Sequence, residues 1–387
     1  MKSPLAAALL LSFLATAVSA QQGDEAARLF FAARANAQAG DVAASVDELE
    51  KVAQLADGFL PARDGFERVW NDARFQSVRA RMEAKLPRLD YAPTAFELED
   101  RLFIPEGIAY DAPSHTFFIG SIAQKRIVRV GEREPARIFA GPEARLDAVL
   151  GLAVDSPRRI LYAVSTSALT RAGEAQRRNA VFAFDIDTRQ LLRRYDVPEA
   201  RQLNDVAVAA GGRVFASDSA SGAVFELPVK VPAAARTLVP PDRLRGSNGL
   251  AASPDGKRLY VAQATGLSVV DLDTGELRPV ANATRENIAA IDGLYQWQGQ
   301  LVAIENVTNP GRVVVISLSP DGGTVTQVKT LLSHHHNALY EPTTGAVTPN
   351  GFYLLAATGV SHYDREGAIQ RADDVPLPTV LRIPLPR

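Results

Sequence analysis

A motif repeated six times between residues 105 and 357 constrains the fold of this chain more than any other feature of its sequence. Each copy has one residue that we call the slot residue, then a small or acidic residue and two apolar ones, a tight turn, and an apolar or aromatic strand. The slot residues are Glu106, Leu150, Asn204, Asn248, Asp292 and Thr344, which lie 44, 54, 44, 44 and 52 residues apart. Repeats of roughly 40 to 50 residues, with about four strands each, are typical of β-propellers. The sequence therefore predicts a mainly β fold, a six-bladed β-propeller over residues 91–387.

A propeller must also close its ring, because an open one leaves its first and last blades unpaired. The sequence AFELED, which begins at Ala95, is predicted to pair with the last blade. Blades two and six contain extra residues around Thr170 and His362. We expect both insertions to form loops on one rim, where loops commonly determine specificity.

Residues 21–90 have helical periodicity and are predicted to form a small α-helical cap domain. Asp24 and Asp41 are suitable helix N-caps, and Gly40 is a suitable C-cap between two helices. The stretch AQAGDVAASVDELEKVAQL resembles a tetratricopeptide helical hairpin. It supplies only about one and a half units, fewer than the roughly three that a free-standing solenoid needs. We therefore expect a cap packed on the propeller, which leaves open a protein partner at the cap.

Residues 1–20 have the features of a secretory signal peptide. Lys2 precedes an apolar run from Leu5 to Val18, and Val18-Ser19-Ala20 is a small-residue cleavage site. The run is shorter than the roughly 18 to 20 residues that a membrane span requires. An exported protein, periplasmic or secreted, is the expectation, with no membrane span.

Composition excludes several classes of function. The 42 Lys and Arg residues almost balance the 44 Asp and Glu residues, so no basic surface for nucleic acid is predicted. The sequence contains no cysteine, which rules out disulfides, thiolate metal sites and cysteine nucleophiles. No nucleophile-elbow motif for a serine hydrolase is present either.

The slot residues predict a metal site. Each lies at the start of an innermost strand, so all six converge on one mouth of the central channel. Leu150 and Thr344 show that the fold does not require a strongly polar residue there, whereas Glu106 and Asp292 would repel each other without a cation. A site of carboxylate and amide oxygens fits Ca²⁺ best, Mg²⁺ or Mn²⁺ next, and Zn²⁺ less well. The alternative is that these groups bond only to each other and to buried water.

Four motifs at these slots resemble those of the gluconolactonase and regucalcin (senescence marker protein) lactonase family, and more distantly the paraoxonases and strictosidine synthases. The motifs are PEG at Pro105, LND at Leu203, SNGLAASPDGKRLYVA at Ser247 and IDG at Ile291. The resemblance implies that Glu106, Asn248 and Asp292 are metal ligands and that Asp292 is also the general base. It implies that Asn204 lies beside the metal and contacts substrate.

The resemblance also has departures. Ile108 and Val206 follow their motifs where lactonases often have proline and glycine, and Gln202 stands where the sugar-lactone branch has a substrate-contacting arginine. These changes leave the metal site intact and weaken the expectation of a sugar lactone. The predicted function is a divalent-metal-dependent hydrolase of a small-molecule lactone or ester. The alternatives are a non-catalytic exported binding or scaffold propeller with a structural metal, and a strictosidine-synthase-like enzyme.

Other polar residues receive structural interpretations. Asp205 is expected to point away from the channel as a supporting carboxylate, because strand residues alternate. His334, His335 and His336 are interpreted as a solvated loop, since consecutive residues of an extended chain cannot all face one ion; one of them could still reach the channel mouth as a proton shuttle. His115 and His362 are expected on the rims.

Overall fold

The computed structural model describes residues 24–228 and 234–386. The predicted signal peptide lies outside this range. Within the described residues, no helix has the length and apolar character needed to cross a membrane.

Helices are concentrated near the N-terminus. The first, α1, covers residues 24–39 of the described chain, and it is followed by α2 (Val42–Leu55) and α3 (Ala73–Glu83). The carboxylate of Asp41 caps α2 by accepting a hydrogen bond from the Ala44 amide, as the sequence predicted. Asp72 caps α3 in the same way. A short fourth helix, α4 (Arg171–Ala175), lies in the insertion of blade two.

The rest of the chain forms six sheets, each antiparallel apart from one short parallel pair, which are the predicted six blades. Strand β1 (Thr94–Glu97) precedes blade one, which contains β2 (Pro105–Asp111), β3 (Thr116–Ser121), β4 (Ile127–Val130) and β5 (Arg137–Ala140). Blade two contains β6 (Ala148–Asp155), β7 (Ile160–Thr166), β8 (Asn179–Asp185) and β9 (Leu191–Asp196). Blade three contains β10 (Leu203–Val208), β11 (Val214–Asp218), β12 (Ala223–Glu226) and β13 (Arg236–Val239).

Blade four contains β14 (Leu250–Ala252), β15 (Arg258–Gln263), β16 (Gly266–Asp271) and β17 (Leu277–Pro279). Blade five contains β18 (Ala281–Asn282), β19 (Ile291–Trp297), β20 (Gln300–Glu305), β21 (Arg312–Leu318) and β22 (Thr324–Leu332). Blade six contains β23 (Gly345–Thr348), β24 (Gly351–Ala357) and β25 (Thr379–Ile383), to which β1 is added.

The ring closes as predicted. Strand β1 pairs antiparallel with β25, with Thr94 opposite Leu381 and Phe96 opposite Val380. The first strand of the propeller is thus the outermost strand of its last blade. The insertions of blades two and six also meet on one rim, where the Arg171 amide donates to the Arg365 carbonyl at 2.8 Å.

Hydrophobic side chains fill the spaces between neighbouring blades. Among the described residues, six apolar clusters each join two adjacent blades, and a seventh fills the helical cap. The cap cluster includes Ala289, which belongs to the loop before β19. The cap therefore shares its core with blade five.

Polar contacts hold the cap on the same rim as the slot residues. The Leu60 amide donates to Thr308 O at 2.9 Å, and the Asn309 side chain donates to Gly58 O at 2.9 Å. Thr308 and Asn309 lie in the loop that follows β20, whose last residue, Glu305, pairs with Ile291 at the start of the innermost strand β19. The cap is consequently anchored beside the predicted metal site, over blade five.

Candidate active site at the channel mouth

The slot residues lie where the innermost strands are irregular. In β2, β6, β10 and β19 the strand register shifts across the slot, because two residues of the inner strand oppose one residue of its neighbour. Such β-bulges locally break the alternation of side chains. Glycine follows the slot residue in all blades except blade three. A Cβ at Gly249 would lie 2.4 Å from Asp292 O, so this glycine lets two inner strands approach closely.

Two carboxamides hold the carboxylate of Asp292. Asn248 Nδ2 donates to Asp292 Oδ1 at 2.8 Å from blade four, and Asn306 Nδ2 donates to Asp292 Oδ2 at 2.5 Å from the loop after β20. Asn306 also donates to Pro342 O at 2.8 Å, which fixes its own position. Burial raises the pKa of Asp292 to about 6, and the two amide hydrogen bonds oppose that rise.

Glu106 adds an unpartnered carboxyl oxygen to this cluster. Its Oε2 atom is buried without a hydrogen-bond partner, and so is Oδ1 of Asn306. Burial raises the pKa of Glu106 well above its ordinary value, and the nearby charges of Asp292 and Asp205 raise it further. A buried oxygen without a partner is costly. These two oxygens, with the carboxylate and amide groups around them, form an all-oxygen donor set that fits a hard divalent cation.

Asp205 does not point away from the site as the sequence suggested. Its Oδ2 accepts a hydrogen bond from the Leu250 amide at 2.9 Å, on the innermost strand of the next blade. Burial raises the pKa of Asp205 to about 7, and the charge of Asp292 contributes. The predicted orientation was wrong because the bulge across Leu203 and Val206 breaks strict alternation, whereas the predicted supporting role is confirmed. Asp205 occupies the position that glycine holds in the other blades and supports the neighbouring strand.

The remaining slot residues divide into two groups. Leu150 is buried in the apolar cluster between blades two and three, and the Thr344 hydroxyl donates to the Glu106 carbonyl oxygen. Both are therefore structural. The second group is Asn204, which we describe together with its neighbour Gln202. Both residues are half-buried, and within the described chain neither side chain makes a hydrogen bond, which leaves both amides free for a ligand.

Sequence reasoning missed Asn306 and Tyr295. Asn306 lies one residue past β20, the second strand of its blade, so a search of innermost strands could not find it. The only signal was the polar segment ENVTN after an apolar strand. The Tyr295 hydroxyl accepts the Gly345 amide at 2.8 Å, and its pKa is raised well above 10.0, mainly by burial and then by the charge of Asp205.

The channel continues below the site as a cavity of about 280 Å³. Middle and C-terminal segments of the six innermost strands line it, including Ile108, Leu152, Asp205 and Tyr295. The slot residues thus lie between this cavity and the rim that carries the cap.

The histidines differ from expectation. His334 is not in a solvated loop: its Nε2 lies 2.8 Å from Glu83 Oε1 of α3, and its side chain is only 9% exposed. His336 Nε2 lies 3.0 Å from the carbonyl oxygen of Ala92. His362 is buried, with Nδ1 2.9 Å from Gln370 O, whereas His115 is exposed in its predicted turn. The run of three histidines therefore joins the cap and linker to the propeller.

Comparisons with known proteins agree with this architecture. Residues 104–296 match the model of the SMP-30/gluconolactonase/LRE-like region. A search of curated proteins found no match. Among solved structures, a gluconolactonase from Xanthomonas campestris is 17% identical, with a TM-score of 0.51 over 77% of this chain and 91% of its own.

Two further structures have a similar fold. A luciferin-regenerating enzyme is 14% identical, with a TM-score of 0.50 over 76% of this chain and 96% of its own. A catalytically inactive virginiamycin B lyase from Staphylococcus aureus is 10% identical, with a TM-score of 0.51 over 70% of this chain and 83% of its own. At such identities the structural likeness shows the propeller fold alone. With the family match and the six blades taken together, the chain is a six-bladed β-propeller in which residues 104–296 are similar to the SMP-30/gluconolactonase/LRE-like region.

Proposed function

We propose that this protein is a divalent-metal-dependent hydrolase of a small-molecule lactone or ester, with its active site at the channel mouth. The observation that carries the proposal is the buried, unpartnered Oε2 of Glu106 beside the amide-held carboxylate of Asp292. Two carboxylates in one partly buried site repel each other unless a proton or a cation intervenes. Burial, and then the charges of Asp292 and Asp205, raise the pKa of Glu106, while burial raises the pKa of Asp292.

Glu106, Asn248 and Asp292 would hold the cation, and Asn306 would keep Asp292 in place. Calcium suits the oxygen-only donor set best, while magnesium, manganese and zinc are alternatives that the test must include. When bound, such an ion supplies Lewis acidity that polarises a carbonyl group.

The protein's own groups account for the proton transfer and for substrate orientation. Asp292 would accept the proton of the attacking water, since the amides of Asn248 and Asn306 hold its carboxylate in place and favour its ionised form. The free amides of Asn204 and Gln202 are placed to donate to the oxygen atoms of a substrate. Gln202 stands where the sugar-lactone branch has an arginine, so a lactone or ester other than a sugar lactone is favoured.

Export to the periplasm or the medium is part of the proposal, because the N-terminal sequence has the features of a signal peptide.

The helical cap is proposed as a separate unit, residues 21–90, on which a protein partner could dock. Its position on the active-site rim would let such a partner limit access to the channel.

The test is hydrolysis of a panel of lactones and aryl esters by the wild type, Asp292→Ala and the exposed control Asp196→Ala, before and after chelation. We expect the wild type and the control to lose activity with chelator and to regain it with calcium or another of the four ions. Loss of the general base should lower kcat by a factor on the order of 10² to 10⁴. Equal hydrolysis rates for all three proteins, with and without chelator, would reject the metal-dependent hydrolase and favour a non-catalytic binding propeller.

A further inference from the structure

Three metal-ligating side chains meet where the cap contacts the propeller, away from the channel site. They are Glu83, the last residue of α3, and His334 and His335 in the loop between β22 and β23. One ligand atom from each side chain lies within 4.8 Å of the others. About 250 residues separate the carboxylate from the imidazoles, so tertiary packing alone brings them together.

The pairing of these side chains is incomplete. His334 Nε2 lies 2.8 Å from Glu83 Oε1, but its Nδ1 atom is buried without a partner, and the whole side chain is 91% buried. A buried imidazole nitrogen that has lost its hydrogen bonds to water and gains no other partner destabilises the folded state. The Nδ1 atom of His334 therefore lacks a partner, and a ligand at this place could supply one.

A turn explains how two consecutive histidines can face one point. The His336 amide donates to Ser333 O at 3.2 Å, so the chain reverses direction here instead of extending. The rings of His334 and His335 consequently lie side by side, with centroids 4.0 Å apart and planes 36° apart. His336 is directed elsewhere, toward Ala92 O.

Neighbouring groups orient the three side chains. Arg79 binds the second carboxylate oxygen of Glu83 at 2.8 Å and leaves Oε1 facing the histidines. His335 Nδ1 is 2.9 Å from Ser333 Oγ, which leaves its Nε2 atom available. Metal-binding imidazoles commonly have their other nitrogen fixed in this way.

We propose that Glu83, His334 and His335 form a second metal site, which binds a zinc-class transition ion and links the cap to the propeller. Two imidazoles and one carboxylate are a zinc donor set that leaves a fourth position for water. Ligands of a tetrahedral zinc ion lie about 3.3 Å apart at bond lengths near 2.0 Å, so small side-chain movements suffice. Calcium, which prefers oxygen, should not bind here.

This site is independent of the proposed hydrolase. The channel mouth offers only oxygen atoms, whereas the site at the cap offers two nitrogen atoms and one oxygen atom. An ion bound at the cap would close a long chain segment between α3 and the sixth blade, and it would hold the cap over the active-site rim.

The test is titration of the metal-free full chain with zinc against a colorimetric zinc indicator, in the presence of excess calcium. The variants are His335→Gln and Glu83→Gln, with exposed His115→Gln as the matched control. We expect the wild type and the control to bind one equivalent of zinc that each ligand variant binds at least about 100-fold more weakly. Zinc should raise the Tm of the wild type and the control only. Equal zinc binding in all four proteins, or none in the wild type, would overturn the proposal.

A measurement on the wild type covers the case in which a variant fails to fold. Zinc-edge X-ray absorption distinguishes imidazole ligands from oxygen-only ligands. Scattering from two imidazoles supports the site, and an all-oxygen shell overturns it. Neither result bears on lactone hydrolysis, so the two proposals can fail separately.

Discussion

At the scale of single residues, Asp292 depends on partners that come from separate parts of the chain. Asn248 belongs to the repeat and was predicted, whereas Asn306 lies outside it and became visible only in the folded chain. The repeat identifies which residues share a position in each blade. It cannot identify a loop residue that reaches the same point.

Replacing Asn306 by alanine should raise the pKa of Asp292, because a hydrogen bond to the ionised carboxylate is lost. We expect the acidic limb of the kcat/KM profile to move to higher pH, by up to about one unit, and kcat to fall roughly tenfold or more. The measurement is a pH–rate profile of the hydrolase, with exposed Asn350→Ala as the control. An unshifted profile would show that Asn306 does not position Asp292.

Buried carboxylates also predict how the stability of the chelated protein depends on pH. The pKa of Asp205 is raised from 3.8 to about 7. The native state therefore holds a proton between these pH values that the unfolded state releases, so the free energy of unfolding falls as pH rises through this window. We expect a loss on the order of 2 kcal/mol between pH 4 and pH 8, measured by urea unfolding.

Asp205→Asn should remove much of that slope while keeping an acceptor for the Leu250 amide. Added calcium should reduce the slope in the wild type, because a cation favours the ionised carboxylates of the same site. A stability that rises with pH across this window would contradict the assignment of the buried carboxylates.

At the scale of elements, a buried ion pair connects the cap to the strands beside Asn306. Arg312 at the start of β21 lies 3.0 Å from Glu305 at the end of β20, and both side chains are almost fully buried. The guanidinium group of Arg312 also contacts the cap: a Cβ added at Gly58 would lie 2.5 Å from Arg312 Nη2. This contact explains a glycine at position 58.

Arg312→Ala should destabilise the protein by about 3 to 5 kcal/mol, because it leaves Glu305 buried without its partner. The double variant with Glu305→Gln should recover part of that loss. Arg194→Ala, which breaks an exposed pair with Asp196, should cost at most about 1 kcal/mol. Chemical denaturation measures all three, and equal losses for both single arginine variants would show that the buried pair is not an anchor.

The closing strand offers a second test at this scale. Leu98 N donates to Pro378 O at 2.9 Å, and the register puts Phe96 on the same hydrogen-bonded edge, opposite Val380. Phe96→Pro should therefore destabilise the ring by a few kcal/mol more than Phe96→Ala, which removes side-chain packing, including the contact with Phe117, but keeps the backbone amide. If thermal unfolding gives the same Tm for both variants, β1 does not close the propeller.

At the scale of the whole molecule, the number of blades and the closing strand were predictable because each repeat encodes one blade. Packing of the cap on the propeller was also expected, but the blade that it contacts was not predictable, since contacts such as Glu83 with His334 join residues that local patterns treat separately. The tetratricopeptide resemblance of the cap stays a prediction. So do the domain boundaries and export.

The central claim is that six inner strands place Glu106, Asn248 and Asp292 around one cation, and calorimetric titration of the chelated protein with calcium tests it most directly. We expect the wild type and the exposed control Glu99→Gln to bind one calcium ion at the channel mouth. Glu106→Gln, which keeps the shape of the side chain but removes its charge, should bind that ion at least about tenfold more weakly. Equal calcium affinity in all three proteins would contradict the site.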